Sequence, residues 1–238
     1  MKKSKDKQSI FACYCVLLMK DLRQEMRTRD MLTSMGLYSV AVIMVFGIMF
    51  SQLGKNVVVL DVAGGFVWVL IVFASLLGLG RSFHFEREQG CLEGMLLAPI
   101  DHSVIYLAKV TSNTLFLFAV EFITLPMFWL FFLSAETLPD VFFLSIVPLV
   151  LGTVGIAAVG TLLATITVHS SGRDVLLAVL CVPVLFPLLY SCVAATSAVL
   201  TGNSGWDVLW FNGCVGAASF DVIMILVAWL LYDQVVRM

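Results

Sequence analysis

Two long apolar runs of the chain are separated by residues 81–109, which read RSFHFEREQGCLEGMLLAPIDHSVIYLAK. A short apolar segment lies inside this stretch and is bounded by Gly90 and Pro99. Glycine often ends a helix, and proline cannot continue the interior of one. The pattern therefore predicts a helix end, a turn, one or two helical turns with an apolar face, and a new helix capped by Asp101 or Ser103.

The apolar segment has two interpretations. A solvated hairpin between two membrane helices is the ordinary expectation for such a loop. However, Leu92, Met95 and Leu96 fall within about one helical turn of each other, and a solvated hairpin has little need of that arrangement. We therefore predict a short coupling helix that docks into another protein.

The composition is that of a membrane protein. Apolar residues make up 61% of the 238 residues and charged residues only 13%, whereas soluble domains are nearer half and a quarter. The charges are clustered and do not form a basic face for nucleic acid. Cys192 and Cys214 are expected to be buried thiols, with a disulfide between them as the alternative.

Six apolar runs are long enough, at about 1.5 Å per residue, to cross a bilayer. The predicted spans lie near residues 33–53, 62–80, 105–133, 141–168, 175–200 and 209–232. All of the 14 Lys and Arg residues except Lys55 fall on one side of these spans. The positive-inside rule therefore predicts a multi-pass protein with both termini and residues 81–109 in the cytoplasm.

The first 30 residues differ from the rest of the chain. Apolar residues recur there with a helical period, and Lys20, Arg23 and Arg27 lie off the stripe. The stripe consists of Ile10, Phe11, Tyr14, Leu17, Leu18, Leu22 and Met26. We predict an amphipathic helix in the membrane interface, with a plain charged lead-in as the alternative. The chain is thus predicted to be an all-α polytopic membrane protein, with a basic N-terminus and interfacial helix (1–30) followed by a six-helix transmembrane domain (31–238).

Two carboxyl groups lie well inside predicted spans, Glu121 in the third and Asp221 in the sixth. A charge at that depth costs about 2.5–3.5 kcal/mol or more, so both residues are functional candidates. The alternative is a protonated carboxyl that is hydrogen-bonded to a neighbouring helix, for example through Ser or Thr. We favour that alternative because no Lys or Arg lies at a matching depth.

The fourth span is rich in small residues, which allow helices to approach closely. The candidates for such packing are Gly152, Gly155, Ala157, Gly160 and Thr161. Packing within one subunit is the expected role, and a substrate path or a subunit interface is the alternative.

The sequence lacks the motifs of several enzyme and metal classes. Gly54-Lys55 is the only Gly-Lys pair, and the flanking residues do not match a nucleotide-binding P-loop. His84, His102 and His169 are too dispersed for a metal set, and no nucleophile–base–acid set is evident. We predict that the chain is not an enzyme and binds no metal or cofactor alone. If the protein does energised work, another polypeptide hydrolyses the nucleotide.

Part of the pattern resembles a known family. Residues 81–109 are similar to the cytoplasmic segment after the second helix of ABC-2-type permeases, through Glu86, Gly90, Leu92, Glu93, Leu96, Leu97 and Pro99. Within that superfamily, the run 92–109 is most similar to the haem exporter B subunits of cytochrome c maturation, the CcmB family. The resemblance continues through residues 152–165 and 176–187.

The resemblance implies a permease subunit of the inner membrane, or of the equivalent organellar membrane, that is present in two copies and is paired with a separate ABC ATPase subunit. The residues it assigns to ATPase coupling, together with the apolar Met95, are Glu86, Gly90, Leu92, Glu93, Met95, Leu96 and Pro99. It implies haem export or delivery in c-type cytochrome biogenesis, with a haem-handling membrane protein and a haem chaperone as partners. ATP would either move haem itself or release the loaded chaperone. Two alternatives remain: an ABC-2 permease for a lipid, glycan or drug, and a proton-coupled carrier that uses Glu121 and Asp221.

Overall fold

The computed structural model describes most of the chain, and the described residues are almost entirely helical. They are residues 2–52, 59–88, 102–132, 138–167, 170, 172–202 and 204–236. At several helix ends only the backbone is described. The helices in this part of the chain are α1 (Lys2–Thr28), α2 (Asp30–Gln52), α3 (Val59–Glu88), α4 (His102–Phe132), α5 (Leu138–Thr167), α6 (Arg173–Thr201) and α7 (Trp206–Val236).

Six of these helices are long and apolar enough to cross a membrane. The candidate spans are Asp30–Phe50, Val62–Ser82, Ser103–Phe131, Phe143–Thr167, Arg173–Thr201 and Trp206–Tyr232. Each overlaps one predicted span, and the ends differ by a few residues. The prediction of an all-helical polytopic membrane protein with six transmembrane helices is therefore confirmed.

The interior of the bundle is built around α3 and α5. Buried side chains make up 61% and 67% of their spans, but only 22% of the spans of α2 and α7. The outer helices present large apolar side chains to the outside, such as Leu37, Phe122 and Leu230. Lipid tails are as apolar as these side chains, so exposure of this kind is expected in a bilayer.

The N-terminal helix is separated from the first span by Arg29 alone. Arg29 has a φ of 56°, in the left-handed region that non-glycine residues seldom adopt. Its N–H still donates to the Glu25 carbonyl at 2.8 Å, and its own carbonyl accepts from Thr33 at 3.0 Å. The chain therefore changes direction within one residue, and α1 packs beside α4 instead of extending α2.

The predicted apolar stripe of α1 does not all face the bundle. Leu17 and Leu22 pack against the core, whereas Phe11 and Met26 are exposed. The most buried side chains of the described part of α1 are acidic: Asp21 and Glu25. The face that α1 turns toward the bundle is therefore polar at Asp21 and Glu25, where partners on α4 and α2 make a buried carboxyl acceptable. The position of α1 in a membrane interface stays a prediction.

Candidate functional site

The predicted coupling residues fall mostly outside the described part of the chain. Helix α3 continues to Glu88 and α4 begins at His102, so the two ends of the stretch 81–109 are helical. Glu86 lies in the last turn of α3, and its side chain is not described. The other coupling candidates lie outside the described residues: Gly90, Leu92, Glu93, Met95, Leu96 and Pro99.

A cavity of about 140 Å³ lies where α1 meets α2, α3 and α4. Its polar lining includes Asp21 and Glu25 of α1, Arg81 of α3 and Lys109 of α4. We refer to these four residues as the α1 junction. Arg81 and Lys109 are the first and last residues of the stretch 81–109, so both ends of that stretch meet at this cavity.

The strongest contact of the α1 junction is an ion pair between Asp21 and Lys109. Lys109 Nζ lies 3.0 Å from Asp21 Oδ2, and their side chains are only 6% and 8% exposed. The Ser112 hydroxyl donates to the same oxygen at 3.1 Å. On the more exposed side, Lys20 Nζ lies 3.4 Å from Asp21 Oδ1. Removing one partner of a buried ion pair leaves the other charge buried without a partner, which typically lowers the stability of the fold by about 3–5 kcal/mol. An exposed pair contributes only about 0–1 kcal/mol to stability.

Glu25 links α1 to the first span. Its Oε1 accepts the backbone N–H of Leu32 at 2.9 Å. The first N–H groups of a helix have no partner within the helix, so this carboxyl caps the start of α2. Burial raises the pKa of Glu25 above its ordinary value, and nearby Asp30 acts in the same direction. Hydrogen bonds from the α2 backbone and the positive charge of Arg81 lower that pKa and so oppose the shift.

Glu121 is hydrogen-bonded between two spans. The Thr153 hydroxyl of α5 lies 2.7 Å from Glu121 Oε1 and 2.8 Å from the Leu149 carbonyl. A hydroxyl has one proton to donate, so both contacts are full hydrogen bonds only when Glu121 is protonated and donates to Thr153. This is the geometry that a structural, neutral carboxyl requires.

Asp221 has a different environment. Its side chain is 5% exposed, and neither carboxyl oxygen has a hydrogen-bond partner among the described residues. It lies against Gly155 of α5, where an added Cβ would overlap Asp221 Oδ1. Within the described part of the chain, the expected hydrogen bond from Asp221 to a neighbouring helix is therefore not found. An ionised carboxylate without a partner is very unfavourable in an apolar interior.

The two intramembrane carboxyl groups do not share a site. Glu121 contacts Thr153, and Asp221 contacts Gly155, on the same helix α5. Successive helical residues are rotated by about 100°, so these two positions point about 200° apart. Glu121 and Asp221 therefore lie on opposite sides of α5.

The small residues of α5 lie against other helices of the same chain. An added Cβ at Gly152 would overlap the Trp68 ring, and one at Gly160 would overlap Leu79. Ala157 is fully buried, and the Thr161 hydroxyl accepts a hydrogen bond of 2.9 Å from the Asn113 amide. Together with Gly155, these positions let α5 sit at the centre of the bundle.

Sequence reasoning missed the pairing of Asp21 with Lys109. The available signal was that Lys109 falls inside a predicted span, where an ammonium group needs a partner. It also missed Arg173, whose guanidinium donates to the Gly80 carbonyl at 3.0 Å near the start of the stretch 81–109.

Metal and disulfide chemistry find little support in the described residues. No group of three or more His, Cys, Asp or Glu residues there could hold a metal ion. Cys192 and Cys214 are free, buried thiols, so the alternative of a disulfide between them is not realised.

Comparison with known proteins gives two matches. The CcmB protein family matches residues 12–229. A heme exporter protein B from Pseudomonas aeruginosa is 31% identical over 156 residues, which cover 65% of this chain and 68% of that relative. The family match begins in α1 and ends in α7, so it includes all four residues of the α1 junction.

Proposed function

Because the chain belongs to the CcmB family, we propose that it is the membrane subunit of an ABC-type haem exporter that acts in c-type cytochrome biogenesis. The observation that carries the proposal is the family match over residues 12–229, which extends across nearly the whole helical bundle. The relative named heme exporter protein B supports haem as the transported or partner-held ligand.

A separate ATPase subunit supplies the energy in this proposal. The chain has no P-loop sequence, and its only Gly-Lys pair is Gly54-Lys55. The stretch 81–109 combines acidic residues with an apolar segment between two spans, as a docking site for a soluble partner requires. Two copies of the chain would each present this stretch to an ATPase subunit.

The orientation follows from the distribution of charge. Thirteen of 14 basic residues lie on one side of the spans, counting both termini, which supports a cytoplasmic location for that side. The protein would then lie in the inner membrane, or the equivalent organellar membrane, with the docking stretch facing the compartment that supplies ATP. A haem-handling membrane protein and a haem chaperone complete the assembly.

The alternative of a proton-coupled carrier is less well supported. A carrier that uses both Glu121 and Asp221 needs a path that connects them, and α5 lies between the two side chains. An ABC-2 permease for a lipid, glycan or drug stays the second candidate, since it would use the same docking stretch.

The test is co-purification of partners with the full chain from membranes that contain its natural partners. We expect a P-loop ATPase and a haem-binding membrane protein in fixed ratio to the chain, and loss of c-type cytochromes when the chain is deleted. If an ATPase co-purifies with the chain but the deletion strain still makes normal amounts of c-type cytochromes, another exported substrate would be favoured.

A point variant sharpens this test. Leu96→Arg places a charge in the apolar docking segment and should release the ATPase while the chain stays in the membrane. Lys2→Ala, at the basic N-terminus, is the control and should retain it. Full ATPase retention by Leu96→Arg would contradict the assignment of this segment to docking.

A further inference from the structure

The two ends of the stretch 81–109 meet the same short section of α1. Arg81 lies where α3 reaches the end of its apolar span, and Lys109 lies in the second turn of the next span. Both residues line the cavity that also contains Asp21 and Glu25. The stretch therefore begins and ends beside a helix that belongs to neither span.

Each carboxyl of α1 holds a different helix. Asp21 binds α4 through Lys109 at 3.0 Å and through the Ser112 hydroxyl at 3.1 Å. Glu25 binds α2 through the Leu32 N–H at 2.9 Å, one helical turn further along the same face of α1. The left-handed turn at Arg29 brings the start of α2 back toward that face.

We propose that α1 is a force-transmitting helix, in which Asp21 holds the Lys109 end of the stretch 81–109 and Glu25 holds the start of α2, while Arg81 at the other end of the stretch lines the same cavity. A displacement of the stretch would then move the first, second and third spans as one unit. The inference rests on the proposed function, because the displacement comes from an ATPase docked on the stretch. Asp21, Arg81 and Lys109 are positioning residues in this scheme and do not touch the transported ligand.

The buried ion pair is suited to this task. If α4 moved away from α1, Lys109 would lose a buried carboxylate partner, and Asp21 would keep only the more exposed contact with Lys20. The two helices therefore move together instead of sliding past each other. Apolar contacts alone would hold α1 in place but would resist sliding less, because they are not directional.

The experiment uses the complex of the full chain with its ATPase subunit. Three variants are compared at equal membrane abundance: Arg81→Gln, the double change Asp21→Asn with Lys109→Met, and the control Lys20→Met. Lys20 contacts the same carboxylate as Lys109 but from the exposed side, at 3.4 Å. The readouts are the ATPase retained per chain, the ATP hydrolysed by the purified complex, and the c-type cytochrome assembled in cells.

We expect Arg81→Gln and the double change to retain the ATPase and to hydrolyse ATP. Cytochrome assembly should fall about tenfold in both, as loss of coupling between distant sites would produce. Lys20→Met should resemble the parent in all three readouts. A purely structural defect would lower ATP hydrolysis and assembly in proportion, so the ratio of assembly to hydrolysis separates the two roles.

Three results would overturn the inference. Normal assembly in both variants would mean that the contacts only stabilise the fold. A proportional loss of hydrolysis and assembly would mean the same. Release of the ATPase by Arg81→Gln would assign that residue to docking instead of transmission. Absence of an ATPase from the parent complex is a separate result, because it would refute the proposed function itself.

Discussion

The Thr153 hydroxyl lies 2.7 Å from the Glu121 carboxyl and joins α5 to α4 in the interior of the spans. The Thr153 hydroxyl can donate its single proton to the Leu149 carbonyl at 2.8 Å. When Glu121 is neutral, its own proton can then be donated to the Thr153 oxygen. The carboxyl group is therefore part of a short hydrogen-bond chain that ends on the backbone. This relationship explains how an acidic residue is tolerated at that depth without a basic partner.

The first prediction separates a structural from a titrating role for Glu121. Glu121→Gln keeps a donor toward Thr153, so we expect thermal unfolding in detergent and cytochrome assembly to stay near the parent. Thr153→Val removes the partner and leaves a buried carboxyl unsatisfied, which should destabilise the protein by about 1–3 kcal/mol. Loss of assembly in Glu121→Gln at normal abundance would show that titration of this residue is needed.

The second prediction concerns the packing of α5 at the centre of the bundle. A Cβ at Gly152 would overlap the Trp68 ring, and Trp68 is held by a 3.0 Å hydrogen bond to the Thr196 hydroxyl. Gly152→Ala should therefore lower the free energy of unfolding by about 1–3 kcal/mol. Gly65→Ala is the matched control, since nothing lies within 4 Å of its added Cβ, and it should gain about 0.5–1 kcal/mol instead. Equal effects of the two changes in detergent unfolding would contradict this account.

The third prediction is a pH dependence that arises from Glu25. Because burial raises the pKa of Glu25 above its ordinary 4.5, the folded protein binds this proton more readily than the unfolded chain does. The protonated form of Glu25 therefore stabilises the folded protein below pH 4.5, and this stabilisation is lost as the pH rises through the pKa of Glu25 in the folded protein. Arg81 opposes this shift and Asp30 increases it.

Glu25→Gln tests that dependence. The amide oxygen can still accept the Leu32 N–H, while the group no longer ionises. The melting temperature of the variant should equal or exceed that of the parent at pH 7, and the difference should shrink toward pH 4.5. Asp207→Asn, at an exposed carboxyl in the first turn of α7, is the control. A variant less stable than its parent at pH 7, with a gap that widens with pH, would mean that the charge of Glu25 stabilises the junction.

The bundle could be predicted from the sequence because each span is a long apolar run, and its length alone selects a membrane helix. The α1 junction could not. The approach of Asp21 to Lys109 depends on the reversal at Arg29, and a left-handed arginine has no sequence signature comparable to that of glycine. The environment of Asp221 depends in turn on α5 presenting Gly155 to it, which the order of the spans does not specify.

The fourth prediction tests the orientation that the basic residues imply. Single cysteines are placed at Ser204 and at Gly172, two exposed positions at opposite ends of α6, after the native cysteines have been replaced. A membrane-impermeant thiol reagent added from outside should label the first and not the second until the membrane is opened. Labelling of Gly172→Cys in intact cells would reverse the topology and remove residues 81–109 from the side that holds ATP.

The last prediction concerns haem. Haem iron needs an axial ligand, commonly His, Met, Cys or Tyr. The three histidines of the chain, His84, His102 and His169, all fall on the predicted cytoplasmic side, while the function proposed above requires c-type cytochromes to be assembled on the other side. Methionines within spans usually serve packing, as Met127 does against the core. We therefore expect the chain, purified alone from haem-replete cells, to show no stoichiometric Soret band, and a complex with its haem-handling partner to show one. A Soret band of the isolated chain that survives the replacement of all three histidines by alanine would establish a haem site without histidine inside the membrane, and the role of this subunit would then include holding haem itself.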